Sequence, residues 1–187
     1  LQIHSHLACG IILTAFLNHF FKIGLIEIAV VLIFSVFIDL DIIMTFYSEE
    51  KNHRKFLTHT PIFWIAILSP LLLFSEKALF AILAVILHIF LDYLDWGIML
   101  FYPLSDRFYG GIIRTDFPDQ KLSKPEIEIY IEAYIQNKKI MNLEKILGVL
   151  LFLSLLAFAQ NLLWLLILYL AALASFFRYI KQKINKK

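Results

Sequence analysis

Six apolar runs, joined in pairs by connections of one to three residues, leave this chain few ways to fold. The runs are Leu7–Phe21, Ile23–Ile38, Pro61–Phe74, Ala78–Leu91, Ile146–Ala159 and Leu162–Tyr179. Lys22 joins the first two, Ser75-Glu76-Lys77 the middle two and Gln160-Asn161 the last two. Connections this tight make antiparallel helical hairpins. A water-soluble chain of 187 residues, 60% of them apolar, could not hide so much apolar surface. The expected fold is therefore all-α: a polytopic membrane protein with about six transmembrane helices in three hairpins.

Charge distribution orients these hairpins. With six crossings, the segments 39–60, 92–145 and 178–187 share one face, and they hold three, seven and five of the seventeen Lys and Arg residues. Lys22 and Lys77 are the two on the other face. Fifteen against two is a steep asymmetry, and positive charge is retained in the cytoplasm. Both termini and both long connections are expected there, in a multi-pass protein of the cell's inner membrane. The apolar start has no basic flank or clear cleavage site and reads as a retained helix. The single Cys9 excludes an internal disulfide and reads as a packing residue.

Within the second long connection, Ser123-Lys124-Pro125-Glu126 has capping-box spacing. Ile127, Tyr130, Ile131, Tyr134 and Ile135 then repeat on one helical face. This predicts an amphipathic surface helix before the last hairpin, with a soluble helix packed on the loops as the alternative. Gly110 and Gly111 mark a turn upstream. The expected organisation is a four-helix core over 1–104, a cytoplasmic loop with the amphipathic helix over 105–145, and a C-terminal hairpin with a basic tail over 146–187.

Several runs are shorter than the ~20 residues that cross a bilayer core. They reach that length only by drawing in polar flanks, where an ionisable group is costly and points to function. His6 begins the first run, Asp39 and Asp41 end the second, His59 precedes the third, and His88 with Asp92 ends the fourth. All fall at the same end of the four helices. His88, Asp92 and Asp95 are spaced to share one helix face. Asp39 and Asp41, two apart, do not share a face on a regular helix. Either a loop turns both inward, or one binds and the other supports it. His53 and His59, six apart, would point about 240° apart on a continuous helix, so a shared site requires the segment between them to fold back. Thr60-Pro61 is a helix start whose hydroxyl can cap free amides. His4 could substitute for His6, whereas His19 and Glu27 lie at the opposite membrane face. Mixed nitrogen and oxygen donors suit zinc best, then manganese or iron, and the number of candidates allows two or more ions.

His6, the pair Asp39-x-Asp41, the block His53-Arg54-x-x-x-Thr58-His59-Thr60, and His88-x-x-x-Asp92 followed by Gly97 and Pro103 resemble the membrane-bound metal-dependent hydrolases of the SOS-repressor-regulated inner-membrane type. The resemblance covers residues 1–104 and implies a distant similarity to zinc-dependent phospholipase C. Three residues, Lys55, Phe56 and Leu57, stand where that family has two. Thr60 replaces its serine, and Asp95 stands where many members have threonine.

The function expected is hydrolysis of a phosphoester, in a phospholipid-like substrate, by metal-activated water at the cytoplasmic interface. His6, Asp39, Asp41, His53, His59, His88 and Asp92 are the expected metal ligands or their immediate supports. Asp41 or Asp95 would take the proton from water whose pKa a divalent metal lowers towards ~7. Arg54, Arg107 and Arg114 would hold phosphate oxygens. Membrane lipid is the expected environment and substrate source, and nucleic acid is not an expected partner. A metallopeptidase or amidase is the rival enzyme, although His-Glu-x-x-His is missing from the sequence. A metal transporter or sensor is the rival without chemistry.

Overall fold

The computed structural model describes residues 2–47, 53–111 and 137–184. Among the described residues six α-helices carry the fold: α1 (Ile3–Phe21), α2 (Leu25–Val36), α3 (Pro61–Leu71), α4 (Lys77–Asp95), α5 (Lys138–Phe158) and α6 (Leu165–Ile184). The all-helical membrane architecture expected from the apolar runs is thus present. α1, α4, α5 and the Leu165–Gln182 part of α6 are long and apolar enough to cross a membrane. Their outward faces carry Phe16, Ile86, Phe90, Leu150, Ile167 and Leu170 in exposed positions, an apolar exterior that water would not tolerate and lipid does.

The run read as Ile23–Ile38 divides into two conformations. Regular α-helix stops at Val36, and a 3-10 helix continues from Phe37 to Phe46. The tighter winding rotates successive side chains by about 120° in place of 100°, which changes where Asp39 and Asp41 point. The stretch before α3 is not one continuous helix: two short 3-10 helices, His53–Lys55 and Leu57–His59, meet at Phe56, so the regular-helix angle between His53 and His59 does not apply. α3 starts at Pro61 as expected. The Thr60 hydroxyl does not cap its amides, however, and donates to the Leu57 carbonyl at 2.8 Å.

α1 lies at the centre, packed on α2, α4, α5 and α6. Ala8, Ile11 and Ala15 of α1 share one buried cluster with Ile28 of α2, Leu151 and Leu155 of α5, and Leu165 and Tyr169 of α6. The small residues let the backbones approach, which is how helices associate when lipid supplies no hydrophobic drive. Gly10 is the closest approach: a methyl group there would overlap the side chain of Ser35 on α2. A second buried cluster, Ile38, Trp64, Leu68, Ala81, Val85, Ile89 and Ile98, joins α3 and α4 to the start of the 3-10 helix.

After α4 the chain doubles back. Ile98 and Tyr109 form an isolated antiparallel bridge, and the Gly111 amide donates to the Tyr93 carbonyl at 2.7 Å. Gly97 adopts φ 85°, and a Cβ there would stand 2.7 Å from the Tyr109 carbonyl oxygen, so both conformation and space call for glycine. The expected amphipathic helix and its capping box lie outside the described residues. Helix α5 begins at Lys138, eight residues before the apolar run itself, with the Asn137 side chain accepting from the Lys139 and Ile140 amides.

Candidate metal centre

The first hairpin and the second each bring polar groups to the same end of the bundle. α1 supplies His6, the 3-10 helix after α2 supplies Asp39 and Asp41, the 3-10 helix before α3 supplies His59, and the last turns of α4 supply His88 and Asp92. All six are buried, His59 and Asp92 completely. α1 starts four residues before its apolar run, and this extra turn is what carries His6 into the bundle.

Three imidazoles and two carboxylates converge. His6 Nε2 is 3.3 Å from Asp92 Oδ1 and 3.7 Å from Asp39 Oδ2. His88 Nε2 is 3.2 Å from Asp92 Oδ2 and 3.5 Å from Asp39 Oδ1. His59 Nε2 is 3.5 Å from Asp92 Oδ2 and 3.6 Å from Asp39 Oδ1. Donor atoms of His6, Asp39, His88 and Asp92 all lie within 4.8 Å of one another. Two ligand atoms each ~2.1 Å from one tetrahedral ion stand ~3.4 Å apart. The distances here, 3.2–3.7 Å, have that spacing. The Nε2 atoms of His6 and His88 are buried and make no hydrogen bond. The donor set therefore fits a divalent ion of the zinc, manganese or iron kind.

Two of the imidazoles are oriented from behind. His88 Nδ1 donates to the Ser35 carbonyl at 2.8 Å, leaving the lone pair of Nε2 towards the carboxylates. His59 Nδ1 is 3.0 Å from Asp41 Oδ2, the carboxylate–imidazole pairing that fixes the tautomer of metal-binding histidines. Asp41 Oδ2 also accepts from the Thr58 hydroxyl, while its Oδ1 is buried with no hydrogen bond. The rings of His6 and His88 stack with centroids 3.9 Å apart.

Electrostatics point the same way. Among the described residues, four buried carboxylates, Asp39, Asp41, Asp92 and Asp95, stand against one buried guanidinium, Arg54. With neutral imidazoles the cluster thus has a large excess of negative charge in a poorly solvated place. A bound divalent cation would offset that excess without requiring protonated imidazoles.

Arg54, expected to grip phosphate, is turned inward. Nη1 donates to Asp95 Oδ1 at 2.6 Å and to the Asp92 carbonyl at 3.2 Å. Nη2 donates to Asp92 Oδ1 at 3.0 Å and Asp95 Oδ2 at 3.3 Å. Both oxygens of Asp95 are thereby engaged, and Oδ1 also accepts from the Trp96 amide. This bidentate fork ties Arg54 and Asp95 to Asp92. Arg107 is exposed, with its guanidinium 5.4 Å from the centre of the Tyr109 ring. His53 opens the short helix that carries Arg54. Arg114 lies outside the described residues.

His4 does not substitute for His6. Two positions away on α1, it turns towards α5, where its Nε2 is 3.3 Å from Glu144 Oε1 and the Ser5 hydroxyl donates to the same oxygen at 2.7 Å. His19 is exposed near the far end of α1. Glu27, also remote, accepts from the Gly24 amide at 3.0 Å and pairs with Lys77 at 3.3 Å. Sequence reasoning missed the roles of Ser35, Thr58 and Glu144. Thr58 alone carried a signal, its place in the polar block beside His59.

No curated protein and no solved structure matches the chain. A family model described as YdjM inner membrane protein matches residues 1–183, reaching through the C-terminal hairpin that the four motif blocks do not touch. A match of that extent, on a bundle of apolar helices with an apolar exterior, means that the chain belongs to the YdjM inner membrane protein family.

Proposed function

We propose that the chain is a metal-dependent hydrolase of the inner membrane that cleaves a phosphoester in a phospholipid-like substrate at the cytoplasmic interface. The observation that carries this reading is the convergence of His6, Asp39, His59, His88 and Asp92 at metal-ligand spacing. A divalent ion held there would act as a Lewis acid and lower the pKa of water towards ~7. Asp39 and Asp92 lie between the imidazoles, and Asp41 keeps His59 in the tautomer that presents Nε2. Asp41 Oδ1, which makes no hydrogen bond among the described residues, would accept the proton of the attacking water. Asp95, with both oxygens on Arg54, is not. In the net reaction the water oxygen joins phosphorus, the P–O ester bond breaks, and a proton ends on the leaving alcohol.

A transporter would need polar groups continuing through the bundle. Beyond the centre the buried side chains of α1, α2 and α4 are chiefly apolar, including Leu17, Val31 and Ala84, which favours chemistry over passage. Zinc-loaded protein in lipid nanodiscs should release phosphorylated headgroup or diacylglycerol from phospholipid. Chelation should abolish this and zinc should restore it. Absence of release from every phospholipid class by fully loaded protein would overturn the reading.

The fifteen-to-two charge count supports a centre that faces the cytoplasm. With Cys9 replaced, a cysteine at exposed Asp106 should resist an impermeant thiol reagent on intact cells, and one at exposed Ser75 should react. The reverse pattern would put the centre on the other face.

A further inference from the structure

A groove of about 620 Å³ runs between α3 and α4, and among the described residues no charged side chain lines it. Along α4 it extends from Ile82 to Tyr93, and along α3 from Pro61 to Ser69. At 1.5 Å per residue, the α4 wall is ~16 Å long, close to the ~15 Å that is half a bilayer's hydrocarbon thickness. Ile65, Ile86 and Phe90 on its rims are 62%, 57% and 53% exposed, so the groove opens sideways onto the surface that lipid must cover.

The groove and the metal centre share a wall. Trp64, Val85 and Ile89 line the groove and belong to the buried cluster that also holds Ile38. Ile38 precedes Asp39, and Ile89 follows His88. Trp64 Nε1 donates to the carbonyl of Thr58, the residue bonded to Asp41, at 2.6 Å. The end of the groove at Pro61 and Tyr93 lies beside His59 and Asp92 in sequence.

We propose that this groove holds one acyl chain of a membrane phospholipid whose phosphate end faces the metal centre. Three features select that occupant over a second polypeptide. The depth matches a single leaflet. The groove is continuous with the lipid-covered exterior. The charge pattern, an uncharged slot ending beside a cation-binding cluster, is complementary to an apolar tail with an anionic head. The fate of the lipid rests on the hydrolase reading, whereas its binding does not.

The test uses the full chain in nanodiscs of phosphatidylethanolamine and phosphatidylglycerol. A trace of phosphatidylethanolamine carries a diazirine near the middle of one acyl chain, and adducts are mapped by mass spectrometry. Groove residues Leu68, Ile82 and Ile86 should be labelled severalfold above Ile167 and Leu170 of α6, which report ordinary surrounding lipid. Ile65→Trp and Ile86→Trp, placed on opposite rims, should fill the groove. Each should lower groove adducts about tenfold, the ratio that loss of roughly two buried methylenes produces, while adducts on α6 and zinc content stay unchanged. Groove labelling no higher than that of α6, or a groove protected and cross-linked to another polypeptide, would overturn the proposal. If either variant fails to fold, the labelling ratio in the unaltered protein decides. Groove adducts without hydrolysis of any phospholipid would sink the hydrolase reading and leave the groove standing. Hydrolysis without enriched adducts would do the opposite.

Discussion

Alanine in place of His88 or of His59 is expected to leave a protein that inserts, purifies and keeps its helices, yet holds almost no zinc. The bundle is held by backbone hydrogen bonds within each helix and by small-residue packing around α1, neither of which needs an ion. Partners outside the ligand set are themselves worth on the order of 10- to 100-fold in metal affinity, so loss of a ligand should exceed ~100-fold. The geometry also sets a gradation. Asp41→Asn keeps a group beside His59 Nδ1 but removes the charge that favours the productive tautomer, and belongs in the ~10- to 100-fold range. His19→Ala, exposed and remote, should change nothing. Elemental analysis of the purified variants with competitive chelation reads all four. Full zinc content in both His59→Ala and His88→Ala would sink the shared centre, whatever became of activity.

Arg54→Met is expected to destabilise the bundle severely. It removes the guanidinium that bridges Asp92 and Asp95, both essentially inaccessible to solvent, and breaking such a buried pair from one side costs about 3–5 kcal/mol. Pairing Arg54→Met with Asp95→Leu should recover a good part of that loss, because the second change removes one of the two stranded charges. Arg54→Lys should fall between, since an ammonium cannot form the two-pronged contact. Unfolding of metal-loaded protein in mixed micelles, taken through the double-mutant cycle, gives the coupling directly. Additive effects of the two changes would mean that Arg54 acts towards something other than Asp95.

The sequence makes some of this centre legible because ionisable groups stand out against apolar runs. His88 beside Leu87 and Ile89, and Asp39 at the end of a run, are visible as exceptions that cost free energy. Arg54 is harder to place. On a face rich in positive charge it resembles its neighbours, and only the fold shows that it is buried and given to Asp95. Ser35 could not be found at all, because it acts through its backbone carbonyl, which every residue possesses. For Asp39 and Asp41 the spacing alone allows two arrangements, both turned inward by a loop or one binding and the other supporting it. The 3-10 winding after Val36 separates them, placing Asp39 among the imidazoles and Asp41 behind one of them. Glu144 hides for a different reason: its partners His4 and Ser5 are at the opposite end of the chain, a separation no local pattern spans.

The division of the ligands between hairpins bears on how the protein is made. His6 and Asp39 emerge from the ribosome with the first pair of helices, and His59, His88 and Asp92 with the second. The five donors that would hold an ion come together only on lateral association of the two pairs in the bilayer, after each has inserted on its own. The final pair adds no ligand, but it clamps α1 through the contact of His4 and Ser5 with Glu144, next to the turn that carries His6. A chain that stalls before its last helices would therefore carry all five donors and still lack the clamp on the turn bearing one of them.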